Sequence, residues 1–179
     1  MKFKRVLRRA AGITAVAAGF LALNLPAQAS ATTAGAAVTC SFQTRNTGNY
    51  LTAVGGGGRV TDVIHTDATQ RLAWEKFTLV QVNDGSPVTR YGIRTVTGNY
   101  LTAVGGGGRI TDVIHSNAVN LLAWEKFALV PVGNGFHAIQ TINGRFLTAV
   151  GGGGRTTDTI HSDATVAQSW EMFRVFCSI

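Results

Sequence analysis

The chain has 179 residues, with 16 Lys and Arg against nine acids and a formal charge of +7. Five of the cations, Lys2, Lys4, Arg5, Arg8 and Arg9, crowd into the first nine residues, which leaves 11 cations against nine acids, about +2, for the rest. So small an excess, with the arginines scattered, provides no basic stripe to release counterions from nucleic acid, and that class of partner is excluded.

The N-terminal basic cluster precedes an apolar run over 10–25, and Pro26-Ala27-Gln28-Ala29 then supplies a small-x-small cleavage pattern. The run is too short and too rich in Ala and Gly to anchor in a bilayer, so residues 1–29 read as a secretory signal peptide and the protein as secreted. The remaining 150 residues suit one domain with a sizeable core. Residues 30–38 are small and polar, with little to pack, and read as a disordered leader before a domain over 39–179. The two cysteines, Cys40 and Cys177, bracket that domain, and in an exported protein they are expected to form one disulfide.

One stretch is written three times: LTAVGGGGRVTDVIH at 51–65, LTAVGGGGRITDVIH at 101–115 and LTAVGGGGRTTDTIH at 147–161. Each copy is followed by Trp-Glu-x-Phe, beginning at Trp74, Trp124 and Trp170, and preceded by Phe42-x-Thr44, Ile93-x-Thr95 or Ile139-x-Thr141. The repeating unit (about 39–83, 84–133 and 134–179) therefore has four parts. These are an F/I-x-T strand, a strand beginning at Tyr50, Tyr100 or Phe146, a third running from Arg59, Arg109 or Arg155 to the histidine, and a Trp-Glu-x-Phe strand. The segments are short, β-branched or aromatic and bounded by Gly or Asn, and no window after the leader has a helical apolar period. The four-glycine segment reads as a hairpin tip needing positive φ, or as a rim of backbone amides open to a ligand.

Three four-stranded units must close around one core. A propeller usually needs at least four blades, and a linear solenoid would need polar caps that the third copy lacks. A closed barrel with pseudo-threefold symmetry removes the free edges and brings the first and last strands together, as a Cys40–Cys177 bridge requires. The expected fold is all-β, a single β-trefoil.

The segment Gly-Asn-Tyr-Leu-Thr-Ala at 48–53 and 98–103, followed about twenty residues later by Trp-x-x-Phe, resembles the repeat of fascin-like β-trefoils. The resemblance spans nearly the whole of 39–179. It implies the same fold and a protein-binding role, either actin-binding-like or towards a cell-surface partner. The Gln-x-Trp mark of ricin-type trefoils occurs only at Gln168-Ser169-Trp170; Leu72-Ala73-Trp74 and Leu122-Ala123-Trp124 depart from it.

Catalytic patterns are missing: there is no Gly-x-Ser-x-Gly and no His-Glu-x-x-His. The adjacent residues of His161-Ser162-Asp163 would point to opposite faces of a strand and cannot form a relay. The protein reads as non-enzymatic, monomeric and without a cofactor. The Trp and Phe of Trp-Glu-x-Phe are expected in the core, one of the two less buried, with Glu75, Glu125 and Glu171 bonded to backbone amides or an Arg. The Asp-x-x-His pairs, Asp62/His65, Asp112/His115 and Asp158/His161, stay constant while neighbours drift (Val60, Ile110, Thr156). In one reading they satisfy a bent hairpin locally. In another each is a small polar site, where Asp and His bond sugar hydroxyls and Tyr50, Tyr100 or Phe146 covers the apolar face of the sugar. Three such sites would gain affinity by multivalency. A third reading gathers the histidines at the pseudo-threefold axis around zinc. The partner is thus expected to be a glycan, or else a surface protein.

Overall fold

The computed structural model describes residues 34–178. The signal-peptide reading of 1–29, and the first part of the leader, lie outside the described residues. Twelve strands form one antiparallel sheet system. The first unit contributes β1 (Ala34–Thr44), β2 (Tyr50–Ala53), β3 (Ile64–Ala68) and β4 (Phe77–Val82). The second contributes β5 (Arg90–Arg94), β6 (Tyr100–Ala103), β7 (Ile114–Ala118) and β8 (Lys126–Gly133). The third contributes β9 (Phe136–Gln140), β10 (Phe146–Ala149), β11 (Ile160–Ala164) and β12 (Met172–Ser178). The described residues contain no α-helix, only single 3-10 turns.

Outer strands of the units pair in a circuit: β1 with β4, β4 with β5, β5 with β8, β8 with β9, β9 with β12, and β12 back to β1. Inner strands pair as hairpins in one register, Thr52 opposite His65, Thr102 opposite His115 and Thr148 opposite His161. Cys40 lies opposite Cys177 in the β1–β12 pairing, with Cα atoms 4.0 Å apart, and the two form the expected disulfide.

The core repeats in threes because the sequence does. Phe77, Phe127 and Phe173 are wholly buried, above Phe42, Ile93 and Ile139 from the F/I-x-T strands and Leu51, Leu101 and Leu147 from the hairpins. Removing one such Phe side chain would cost about 3–5 kcal/mol in lost transfer free energy and cavity.

Each glycine tip docks on the next unit. Gly58 donates to the Ser116 carbonyl and Ser116 returns its N–H to Arg59; Gly108, Arg109 and Ser162 repeat this, as do Gly154, Arg155 and Thr66. The interlock runs from unit one to two, two to three and three to one. The tip is therefore a contact between units. Gly57, at φ +111°, shows why a side chain is costly there: a Cβ would lie 2.3 Å from Thr95 Oγ1.

Three expectations need correction. Strand β1 begins at Ala34, not Thr39, because Ala34 and Ala37 pair with Val82 and Val80 of β4; 34–38 are therefore not disordered leader. The third strand of each unit begins at Ile64, Ile114 or Ile160, because the tip residues before it bond to the neighbouring unit instead of a hairpin partner. The Trp-Glu pairs of the second and third units sit in 3-10 turns ahead of β8 and β12, and Trp74-Glu75 lies in a turn ahead of β4. A turn does not alternate faces as a strand does, so the tryptophans stay at the surface.

Candidate functional site

The polar site grows from the tip. Once Arg59 is fixed through its N–H to Ser116 Oγ (3.1 Å), its side chain folds back and Nε donates to the Thr61 carbonyl at 3.2 Å. Asp62 then takes φ +50°, a left-handed conformation that Asp tolerates better than most residues. Asp112 and Asp158 do the same at +48° and +47°. This reversal aims the carboxylate at both neighbours. His65 Nε2 lies 2.7 Å from Asp62 Oδ1, and Arg59 Nη2 donates to Oδ2 at 3.3 Å.

The second unit repeats the arrangement with His115 at 2.6 Å and Arg109 at 3.4 Å from Asp112. In the third, His161 is 2.7 Å from Asp158, and Arg155 forms a looser ion pair at 3.6 Å. The Asp side chains are 49, 51 and 54% exposed, and the His side chains are partly buried. The Asp carboxylates are thus half exposed beside largely covered His rings, and each pair is bonded locally within its hairpin. A carboxylate offers about four lone-pair directions, so one bond at each oxygen leaves acceptor capacity for a ligand hydroxyl.

The three Asp also line one shared depression of about 450 Å³, to which all three units contribute. Its floor is apolar, with Val63, Ile64, Val113, Ile114 and Ile160, and its hydroxyls come from Thr61, Thr111 and Thr159. The histidines do not line it. Among the described residues no group of three His, Cys, Asp or Glu is placed to hold a metal ion, so the axial zinc reading has no geometric support.

Tyr50, Tyr100 and Phe146 do not line the depression either. Tyr100 faces a separate concavity of about 350 Å³ with Val80, Val82, Leu121 and Leu122. The Tyr50 ring lies 6.3 Å from that of Phe176, and Phe146 is half-buried at the start of its hairpin.

Of the Trp and Phe in each Trp-Glu-x-Phe, the Phe is the buried one, and the tryptophans lie further out than the core placement expected. Trp74, Trp124 and Trp170 are 48, 49 and 45% exposed. The neighbouring Glu holds each turn in place. Glu75, itself buried, accepts from the Leu72 N–H at 2.7 Å and the Thr52 hydroxyl at 2.8 Å. Glu125 accepts from Leu122 and Thr102, and Glu171 from Gln168 and Thr148. The expectation of backbone-amide partners for these Glu holds, with a threonine added. Trp74 and Trp124 line shallow concavities of about 320 and 280 Å³ with Leu72 and Leu122. The legible signal was the acidic residue directly after each Trp, which marks a turn more than a core strand.

No protein-family model matches the chain, and no curated protein matches it significantly. Solved structures do. The chain is similar to the designed threefold-symmetric protein ThreeFoil, with a TM-score of 0.63 and 12% identity over 76% of this chain and 96% of that one. It is similar to the Rhizoctonia solani agglutinin, with a TM-score of 0.64 and 15% identity over 80% and 97%. It also matches 33% of a GlcNAcα1-4Gal-releasing endo-β-galactosidase from Clostridium perfringens, with a TM-score of 0.58 and 12% identity over 79% of this chain. At these identities the likeness shows the fold, a β-trefoil. The fascin-like resemblance gains no family match beyond it.

Proposed function

We propose that the protein is a secreted, non-enzymatic, lectin-like module that binds carbohydrate through up to three equivalent weak sites. The observation that carries this reading is the half-exposed Asp carboxylate, held between a His and an Arg in every unit. Sugars present hydroxyls to such acceptors, and a left-handed Asp is the kind of strained residue that concentrates at functional positions. Likeness in fold to an agglutinin supports the reading. The Cys40–Cys177 bridge supports an oxidising compartment. Any apolar sugar face would rest on the exposed tryptophans more readily than on Tyr50, Tyr100 or Phe146, whose rings are half-buried.

A glycan array and polysaccharide pull-down test it, using protein whose fold is checked by circular dichroism. Asp62→Asn, Asp112→Asn and Asp158→Asn, combined singly, doubly and triply, should lower avidity in steps. Folded protein that binds no glycan overturns the proposal. The second reading is a fascin-like protein-binding domain, favoured by the exposed Leu72, Leu122 and tryptophans. It predicts that substitutions in one unit abolish partner binding at once, since a single protein interface is not repeated three times.

A further inference from the structure

The three units differ at the clefts between them, and the difference is one of charge. Between the first and second units a cleft of about 520 Å³ is lined by Arg71, Lys76 and Arg94, with Thr39, Thr78 and Thr95 among its hydroxyls. No acid lines it. Thr39 lies opposite Thr78 in the β1–β4 pairing and Thr78 opposite Arg94 in the β4–β5 pairing. Cross-strand partners share a face, so the two hydroxyls and the guanidinium form one row across three strands. Among the described residues none of the three cations has a carboxylate within ion-pair distance; the Arg71 guanidinium lies over the Phe176 ring at 5.2 Å.

The equivalent clefts lack this set. Between the second and third units Leu121 and Gln140 replace Arg71 and Arg94, and Lys126 is neutralised by Asp84 at 2.8 Å. Between the third and first, Ala167, Met172 and Gln43 occupy the three positions, and the local Arg45 and Arg174 lie over the Phe136 ring. Unpaired cations in a recess with hydroxyl donors on its wall match an oxyanion in charge and in hydrogen-bond sense. Leu72 and Ala73 form the wall shared with the Trp74 concavity, so a ligand's ring and its anionic group could span both.

We propose that this one cleft is an anion subsite, taking the carboxylate or sulfate of an acidic saccharide, so that one of the three units prefers charged sugars. The saccharide part rests on the carbohydrate reading above; the preference for negative charge does not. Isothermal titration of the mature protein compares a uronic-acid oligosaccharide, a sulfated one and a neutral one of matched length, at low and moderate salt. Either acidic probe should bind at least about tenfold more tightly than the neutral one at low salt, with the advantage shrinking as salt screens it. Which acidic probe leads identifies the anion.

Arg94→Gln and Lys76→Met install residues that the third unit or its neighbours already carry at those positions, so the fold should tolerate both. Each should reduce acidic-probe affinity about tenfold, the scale of one charge-assisted hydrogen bond, and leave neutral-probe affinity unchanged. Lys126→Met, at the neutralised position, should change neither. Equal affinity for acidic and neutral probes overturns the anion subsite and leaves the carbohydrate reading standing. If no probe binds, both fall together. A loss in Lys126→Met as large as in Lys76→Met also overturns the assignment to this cleft.

Discussion

Replacing Gly57 by Ala tests whether the glycine tips are locked against the neighbouring unit. At Gly57 the added Cβ would sit 2.3 Å from Thr95 Oγ1, 2.8 Å from Thr95 Cβ and 2.9 Å from Thr97 Oγ1, at φ +111°. Thr95 is buried, and its hydroxyl accepts or donates within a network to Thr97 and the Asn99 carbonyl, so it has little room to retreat. Overpacking of this kind costs about 1–3 kcal/mol, and a non-glycine residue at φ +111° and ψ −168° a further 1–3 kcal/mol, about 2–6 kcal/mol together. The neighbouring Gly58 is the control. It has φ +80° but nothing within 4 Å of its added Cβ, so Gly58→Ala should cost only the backbone part, about 1–2 kcal/mol. Urea unfolding followed by far-ultraviolet circular dichroism, with m-values compared to verify two-state behaviour, measures both. Equal costs within about 0.5 kcal/mol would refute the reasoning, because the tip would then be free to swing away from Thr95.

The other expectations concern the turn, the bridge and the tryptophans. Glu75→Ala should destabilise by about 3 kcal/mol in the same assay, because it leaves the Thr52 hydroxyl and Leu72 N–H without their acceptor; Glu75→Gln should recover part of this. The disulfide closes a loop of sequence separation 137, so Cys40→Ala with Cys177→Ala should lose about 3–5 kcal/mol, seen as a lower urea midpoint. Acrylamide should quench the tryptophan fluorescence of the folded protein to an intermediate extent, clearly more than for buried indole and less than for free indole; strong protection would contradict the half-exposed placement.

Much of the candidate site was legible before the structure. The Asp and His of each pair are hydrogen-bonded, as the bent-hairpin reading expected, with the Asp half exposed and the His mostly covered, since residues three apart on either side of a left-handed Asp meet locally. The third member, Arg59, was not assigned a role. Its reach back to Asp62 depends on the tip being pinned by Ser116 of the next unit, a contact across distant sequence. Tyr50, Tyr100 and Phe146 are half-buried at the start of their hairpins and do not line the Asp depression; a bulge between Tyr50 and Thr52, repeated in each hairpin, shifts the pairing of these strands.

From the sequence alone came the unit, its four strands, the all-β class and the Cys40–Cys177 pairing. The first three follow from repetition and strand-forming composition, written locally along the chain, and the pairing from two cysteines that bracket the domain of an exported chain. Tertiary structure alone decided that the Trp turns face outward, that the three Asp share one depression and that one inter-unit cleft gathers three cations with no carboxylate partner among the described residues. The physical reason is that the Trp turns are set by a buried Glu bonding a threonine 23 residues away in the same unit, and the depression and the cleft by juxtaposition between units. Thr39, Lys76 and Arg94 are unremarkable apart, and become a charged recess only where β1, β4 and β5 lie side by side.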